Sequence, residues 1–164
     1  MNPFNPYCIA RGLVAENRPS INGAEDAECR ASRIFAVVVP ETGVVVRTFG
    51  VDSALSVCLK SIATALVEKD MSPFALMLSA QQGKDENLFK QEMKWGFSHT
   101  APVSILAEIE YHSSVPGVSV KTVGDPDSWS HLLVVLVYYL LKEGFPFDAI
   151  IDCLQTGARN VTKM

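Results

Sequence analysis

The stretch DPDSWSHLLVVLVYYLLKEG, residues 125–144, has ten consecutive apolar side chains in its second half. Asp125 can accept hydrogen bonds from the free amides of a first helical turn, and Pro126 fits that turn because it needs no N–H there. Gly144 suits the left-handed conformation that ends many helices. These signals predict a helix from 126 to 143. Because this helix is apolar on all sides, we expect it to be fully buried under a sheet and at least one other helix.

The same stretch excludes a membrane span. A span needs about 20 predominantly apolar residues, and the first turn of this helix is polar. Asp127, Ser128, Ser130 and His131 all lie in or next to that turn. The sequence therefore predicts a core helix of a soluble domain.

The rest of the chain alternates between strand and helix patterns. Residues 34–39 and 44–49 are rich in β-branched residues and flank a Pro-Glu-Thr-Gly turn, which predicts a β-hairpin. The first of these strands is apolar on both faces and should be central, whereas the second should lie near an edge. Further strands are predicted at 74–79, 103–112 and 118–123. Further helices are predicted at 52–69, 84–95 and 148–156. Asp52 or Ser53 would cap the start of the first of these helices, and Gly157 would cap the end of the last. We expect an α+β fold with a mixed sheet of about five strands and four helices, or α/β if the middle crossovers are parallel.

Composition limits the possible function classes. The chain has 164 residues and a net charge of −4, and its 14 Lys and Arg residues are scattered. This argues against a nucleic-acid partner bound through phosphate neutralisation. The four cysteines form no C-x-x-C pair, and residues 1–12 have no apolar run of the signal-peptide type, so we expect a cytoplasmic, reducing environment.

The first 32 residues lack periodicity and contain three prolines. We therefore divide the chain into an extended N-terminal arm, residues 1–32, and one globular domain, residues 33–164. Apolar residues in the arm could anchor it on its own domain or on a neighbouring copy. These candidate interaction residues are Phe4, Tyr7, Ile9 and Leu13.

Two groups of residues could carry chemistry. Glu108, Glu110 and His112 alternate along a predicted strand and would share one face, where they could bind a divalent metal or act as general acid and base. The alternative is a solvated strand face, with Lys121 on the neighbouring strand pairing with a glutamate. His131 follows Asp125 and Asp127 at a helix start and could be an oriented general base, or simply a partly buried histidine.

Other reactive side chains fit structural roles better. Cys58 lies on the apolar stripe of its predicted helix, which favours a core thiol over a nucleophile. Gly83-Lys84 lacks the earlier glycine and the following Ser or Thr of a phosphate-binding loop, so we predict no cofactor.

The sequence favours a non-catalytic interaction or assembly protein, such as an adaptor, an inhibitor or a particle subunit. Its predicted partners are proteins, either further copies of the chain or a larger complex. The alternative is a small metal-dependent or acid/base hydrolase that uses the Glu-x-Glu-x-His strand.

Overall fold

Within the described residues the sheet has four strands, all antiparallel. The computed structural model describes residues 32–112 and 115–162, without the side chains of residues 110–116 and 162. The strands are β1 (Arg33–Val39), β2 (Gly43–Phe49), β3 (Ser104–His112) and β4 (Val115–Val123). As predicted, β1 and β2 form a hairpin, with β1 inside the sheet and β2 at its edge.

Five helices complete the described α+β domain. They are α1 (Asp52–Glu68), α2 (Pro73–Gln82), α3 (Glu86–Ser98), α4 (Pro126–Lys142) and α5 (Phe147–Thr162). The α+β class is confirmed, but the predicted mixed sheet is wrong, because the described strands, in the order β2-β1-β3-β4, all pair antiparallel. The predicted counts are also wrong, since the described residues form one strand fewer than five and one helix more than four. A single misassigned segment accounts for both wrong counts.

That segment is the predicted strand 74–79, which forms most of α2. The Ser72 side chain accepts hydrogen bonds from the amides of Phe74 and Ala75, and Pro73 occupies the first turn. A short apolar run cannot be assigned to a strand or a helix by its pattern alone, and here the cap decides. Gly83 then follows a helix instead of the predicted strand 74–79, so this part of the described chain lacks the strand that precedes a phosphate-binding loop.

Helix α4 is the centre of the core, as its sequence predicts. Asp125 accepts a hydrogen bond from the Ser128 amide at 2.9 Å, which confirms its capping role. The helix contacts α2, α3 and three strands, so it is covered on several sides. It is not buried along its whole length, because Tyr138, Tyr139 and Leu141 remain half-exposed.

Helix α5 continues through Gly157, which was predicted to end it. Glycine is needed there for packing, since an added Cβ would lie 2.2 Å from the Lys60 carbonyl oxygen of α1. The Thr64 hydroxyl donates to the Gly157 carbonyl oxygen at 2.8 Å. Close contact with α1 therefore extends the helix beyond the point where its sequence suggests a stop.

Helix α1 also differs from its prediction at its start. Val51 is the N-cap residue and makes no side-chain capping hydrogen bond, and Asp52 lies in the first turn. Neither Asp52 nor Ser53 caps this helix. Asp52 can still stabilise the helix there through its charge near the positive end of the helix dipole.

The helices that contact the sheet, α1, α3 and α4, pack against one of its two faces. On that inner face the side chains of Ile34, Ala36, Ile105 and Ala107 are fully buried. Cys58 of α1 joins this core, with its Sγ 4.0 Å from the Ala107 carbonyl oxygen. The opposite face of the sheet is described below as the outer sheet face.

Two further expectations concern the N-terminal interaction residues and the absence of a membrane span. Phe4, Tyr7, Ile9 and Leu13 lie outside the described residues. None of the helices in the described ranges is both long and apolar enough to cross a membrane.

Candidate functional site

The outer sheet face is unusually apolar. Among the described residues, only strand residues line the groove on this face. Because paired residues in an antiparallel ladder share a face, the register places alternate residues of all four strands here. A solvated face of an antiparallel sheet normally carries polar residues. The apolar members of the outer sheet face are Phe35, Val37, Val39, Val45, Phe49, Leu106 and Val123.

Charged residues stand among these apolar side chains. Arg33, Arg47 and Lys121 carry positive charge on the outer sheet face, and Glu108 carries negative charge. Glu108 forms an ion pair with Arg33 at 3.6 Å. The described charges on this face therefore sum to about +2 at neutral pH.

A groove of about 590 Å³ crosses the outer sheet face. It runs over β2, β1 and β3 at the end where β1 begins. Within the described part of the chain its walls are strand residues, namely Arg33, Phe35, Arg47, Thr48, Phe49, Leu106 and Glu108. This lining combines apolar and charged residues, as protein contact surfaces do.

The structure places one of the three residues predicted on the Glu-x-Glu-x-His strand. Glu108 lies on the outer sheet face, about one-third exposed and paired with Arg33 rather than with the predicted Lys121. The backbones of Glu110 and His112 pair with those of Gly117 and Val115. Their side chains lie outside the described residues, so the acid/base row stays a prediction.

His131, the other predicted candidate, belongs to a cluster that joins α3 to α4. Its Nδ1 contacts Oε1 of Glu92. The Trp95 ring stacks on the His131 ring at 4.2 Å between centroids and on the His99 ring at 4.5 Å. One indole therefore lies between two imidazoles, and one of those imidazoles is held by a carboxylate.

The electrostatics of this cluster favour a charged His131. Its pKa is raised above the usual value, mainly by the hydrogen bond to Glu92 and also by the charges of Glu92 and Asp127, while burial opposes the shift. A protonated imidazole also interacts favourably with the face of Trp95. The contact with Glu92 therefore favours the protonated form of the His131 imidazole.

The acids predicted to orient His131 have other roles. Asp125 caps α4, and hydrogen bonds from Ser128 hold its pKa below the usual value, with a smaller contribution from the charge of His99. Asp127 acts on His131 only through its charge. The residue that holds the imidazole is Glu92, on a different helix.

This pair makes a pH-dependent contribution to stability. Because the His131 pKa is raised in the folded state, the contribution is fully present below the unfolded pKa of about 6.5. It is lost as the pH rises through the folded value. We expect the destabilisation caused by Glu92→Gln to be largest near pH 6 and to shrink at higher pH, measured as the free energy of unfolding in urea.

Glu86→Gln is the matched control for this prediction. Glu86 lies on the same helix and pairs with Lys90 at 3.5 Å, but both side chains are well exposed. Its effect should be small and constant across the same pH range. A Glu92→Gln effect that does not change between pH 6 and pH 9 would contradict the assigned charge of His131.

Sequence reasoning missed Glu92, Trp95 and His99. Glu92 and Trp95, three residues apart, lie on one face of α3, and this was the available signal, whereas His99 follows the helix as its C-cap residue. The spacing cannot show that this face meets the start of α4. The stacking of His131 on Trp95 arises from the packing of two helices.

Cys58 is the remaining reactive side chain from the sequence analysis. Burial, aided by the negative charge of Glu108, raises the pKa of the Cys58 thiol to about 12, so the thiol stays protonated as expected of a core cysteine. Among the described residues, no group of three or more His, Cys, Asp or Glu side chains could hold a metal ion.

The chain matches no protein-family model, no curated protein and no solved structure.

Proposed function

We propose that this protein is a non-catalytic assembly protein that binds a second copy of itself through the outer sheet face. The observation that carries this proposal is the apolar groove on that face. Seven apolar residues on the side of a sheet opposite its helices need a cover, because exposing them to water is unfavourable.

The charges on the face support a protein partner over a small ligand. Arg33, Arg47, Glu108 and Lys121 lie one on each of the four strands, so the charges are spread across the width of the sheet. Such a pattern can set the orientation of a partner surface. A small-molecule site would instead have a few polar groups directed into an enclosed cavity.

We expect Leu106→Lys to dissociate the assembly. Leu106 lies in the groove next to Phe35, and a lysine there would place a charge in the buried centre of the contact, which is strongly unfavourable. In the isolated monomer the lysine could extend its charged end into water, so the fold should survive. The measurement is the mass in solution by light scattering over a range of concentrations.

Leu78→Lys is the matched control. It makes the same chemical change at an exposed leucine on α2, which contacts other helices. We expect the wild-type chain and Leu78→Lys to have the same oligomeric mass and Leu106→Lys to be monomeric, all three with the same helical signal in circular dichroism. A monomeric wild-type chain, or dissociation by Leu78→Lys alone, would refute the proposal.

A further inference from the structure

We propose that the element bound on the outer sheet face is the N-terminal segment, residues 1–31, of a second copy. This inference rests on the proposed function and specifies the partner surface. Three features support it, namely the point at which the segment joins the sheet, its length and apolar content, and its charge.

The segment joins the domain at the edge of the groove. Ser32 is fully buried, and its carbonyl oxygen accepts a hydrogen bond from the Ile109 amide at 3.0 Å. The next residue, Arg33, already lines the groove. The described chain therefore begins next to the groove.

The segment is long enough to reach a neighbouring copy. An extended chain spans about 3.3 Å per residue, so 31 residues can cover about 100 Å, several times the length of a seven-residue strand. Its first half contains apolar side chains spaced so that an extended chain could place several of them in a groove. These are Phe4, Tyr7, Ile9, Leu13 and Val14.

One run of the segment carries charge opposite to that of the face, although the segment as a whole, with four acids and three arginines, has a net side-chain charge of only −1. Residues 24–29 read AEDAEC and carry three carboxylates, on Glu25, Asp26 and Glu28. Among the described side chains of the outer sheet face, Arg33, Arg47 and Lys121 give an excess of positive charge over Glu108. Opposite charges on two surfaces favour their association and fix their orientation.

Thiol cross-linking between two differently labelled full-length chains tests the exchange. In both chains Cys29→Ser removes one thiol, and Cys58 and Cys153 are buried. The first chain keeps Cys8. The second carries Cys8→Ser together with Ser119→Cys on the outer sheet face, so a bismaleimide product that contains both labels has Cys8 of one copy joined to the face of the other.

The control replaces Ser119→Cys by Ser98→Cys, the same chemical change at an exposed site at the end of α3. We expect a cross-linked heterodimer with Ser119→Cys and several-fold less with Ser98→Cys. Glu25→Gln, Asp26→Asn and Glu28→Gln together should lower the yield, as should raised salt.

Two results would overturn the inference. One is a heterodimer yield no higher than that of the Ser98→Cys control. The other comes from a single chain that carries both Cys8 and Ser119→Cys. If this chain cross-links only internally, the segment covers its own sheet. If Leu106→Lys still dissociates the assembly in either case, the proposed function stands and another element of the second copy occupies the groove.

Discussion

Leu136→Lys is expected to prevent folding. Leu136 is fully buried on α4, the helix that contacts α2, α3 and the sheet. A lysine there would have to bury its charge without a partner or force the surrounding helices apart. The free-energy cost of either change exceeds the free energy of unfolding of an ordinary domain. Circular dichroism and the yield of soluble protein should both show the loss.

Two further variants make this result specific. Leu136→Ala removes volume without adding charge and should lower the free energy of unfolding by about 2–5 kcal/mol. Lys142→Ala, at an exposed position of the same helix, should change it by less than about 0.5 kcal/mol. A folded Leu136→Lys with wild-type stability would mean that α4 is not the centre of the core.

Gly157→Ala is expected to destabilise the protein, although the same change within a helix usually has the opposite effect. Alanine favours a helix over glycine by about 1 kcal/mol when nothing obstructs its side chain. Here the added Cβ would lie 2.2 Å from the Lys60 carbonyl oxygen and 2.7 Å from the Ala63 Cβ. Helices α1 and α5 would have to separate, at a cost of about 1–3 kcal/mol typical of overpacking.

The free energy of unfolding in urea tests this sign. Gln155→Ala is the control, because Gln155 is exposed on the same helix and its replacement should be nearly neutral. If Gly157→Ala instead stabilises the protein, the close approach of α1 and α5 is wrong. The hydrogen bond from Thr64 to the Gly157 carbonyl oxygen would then also be in doubt.

The sequence predicted those elements whose ends carry their own signals. Asp125 and Pro126 mark the start of α4, and Gly144 marks its end, because caps and glycine act within a few residues of the chain. The alternation in β3 correctly predicted which of its residues are buried as far as Ile109. The segment 74–79 was misassigned because a six-residue apolar run is compatible with a strand or a helix, and the cap at Ser72 was not recognised.

The candidate site was less accessible to sequence reasoning. His131 was identified, but its partner was expected among neighbouring acids and is Glu92, 39 residues earlier. Glu108 was identified as well, but as a catalytic candidate or a partner of Lys121, whereas the structure pairs it with Arg33. In both cases the local pattern was seen, and the contact across elements was not.

The sequence by itself determined the α+β class, the buried character of α4 and the position of β1 inside the sheet, because periodicity, caps and burial on both faces are properties of neighbouring residues. Only the tertiary structure decided which face of α3 meets His131, why α5 continues through Gly157 and where the apolar outer sheet face lies. Each of these depends on packing between segments that are far apart in the sequence. The free energy of such contacts comes from both surfaces, and a local sequence pattern does not show which surfaces meet.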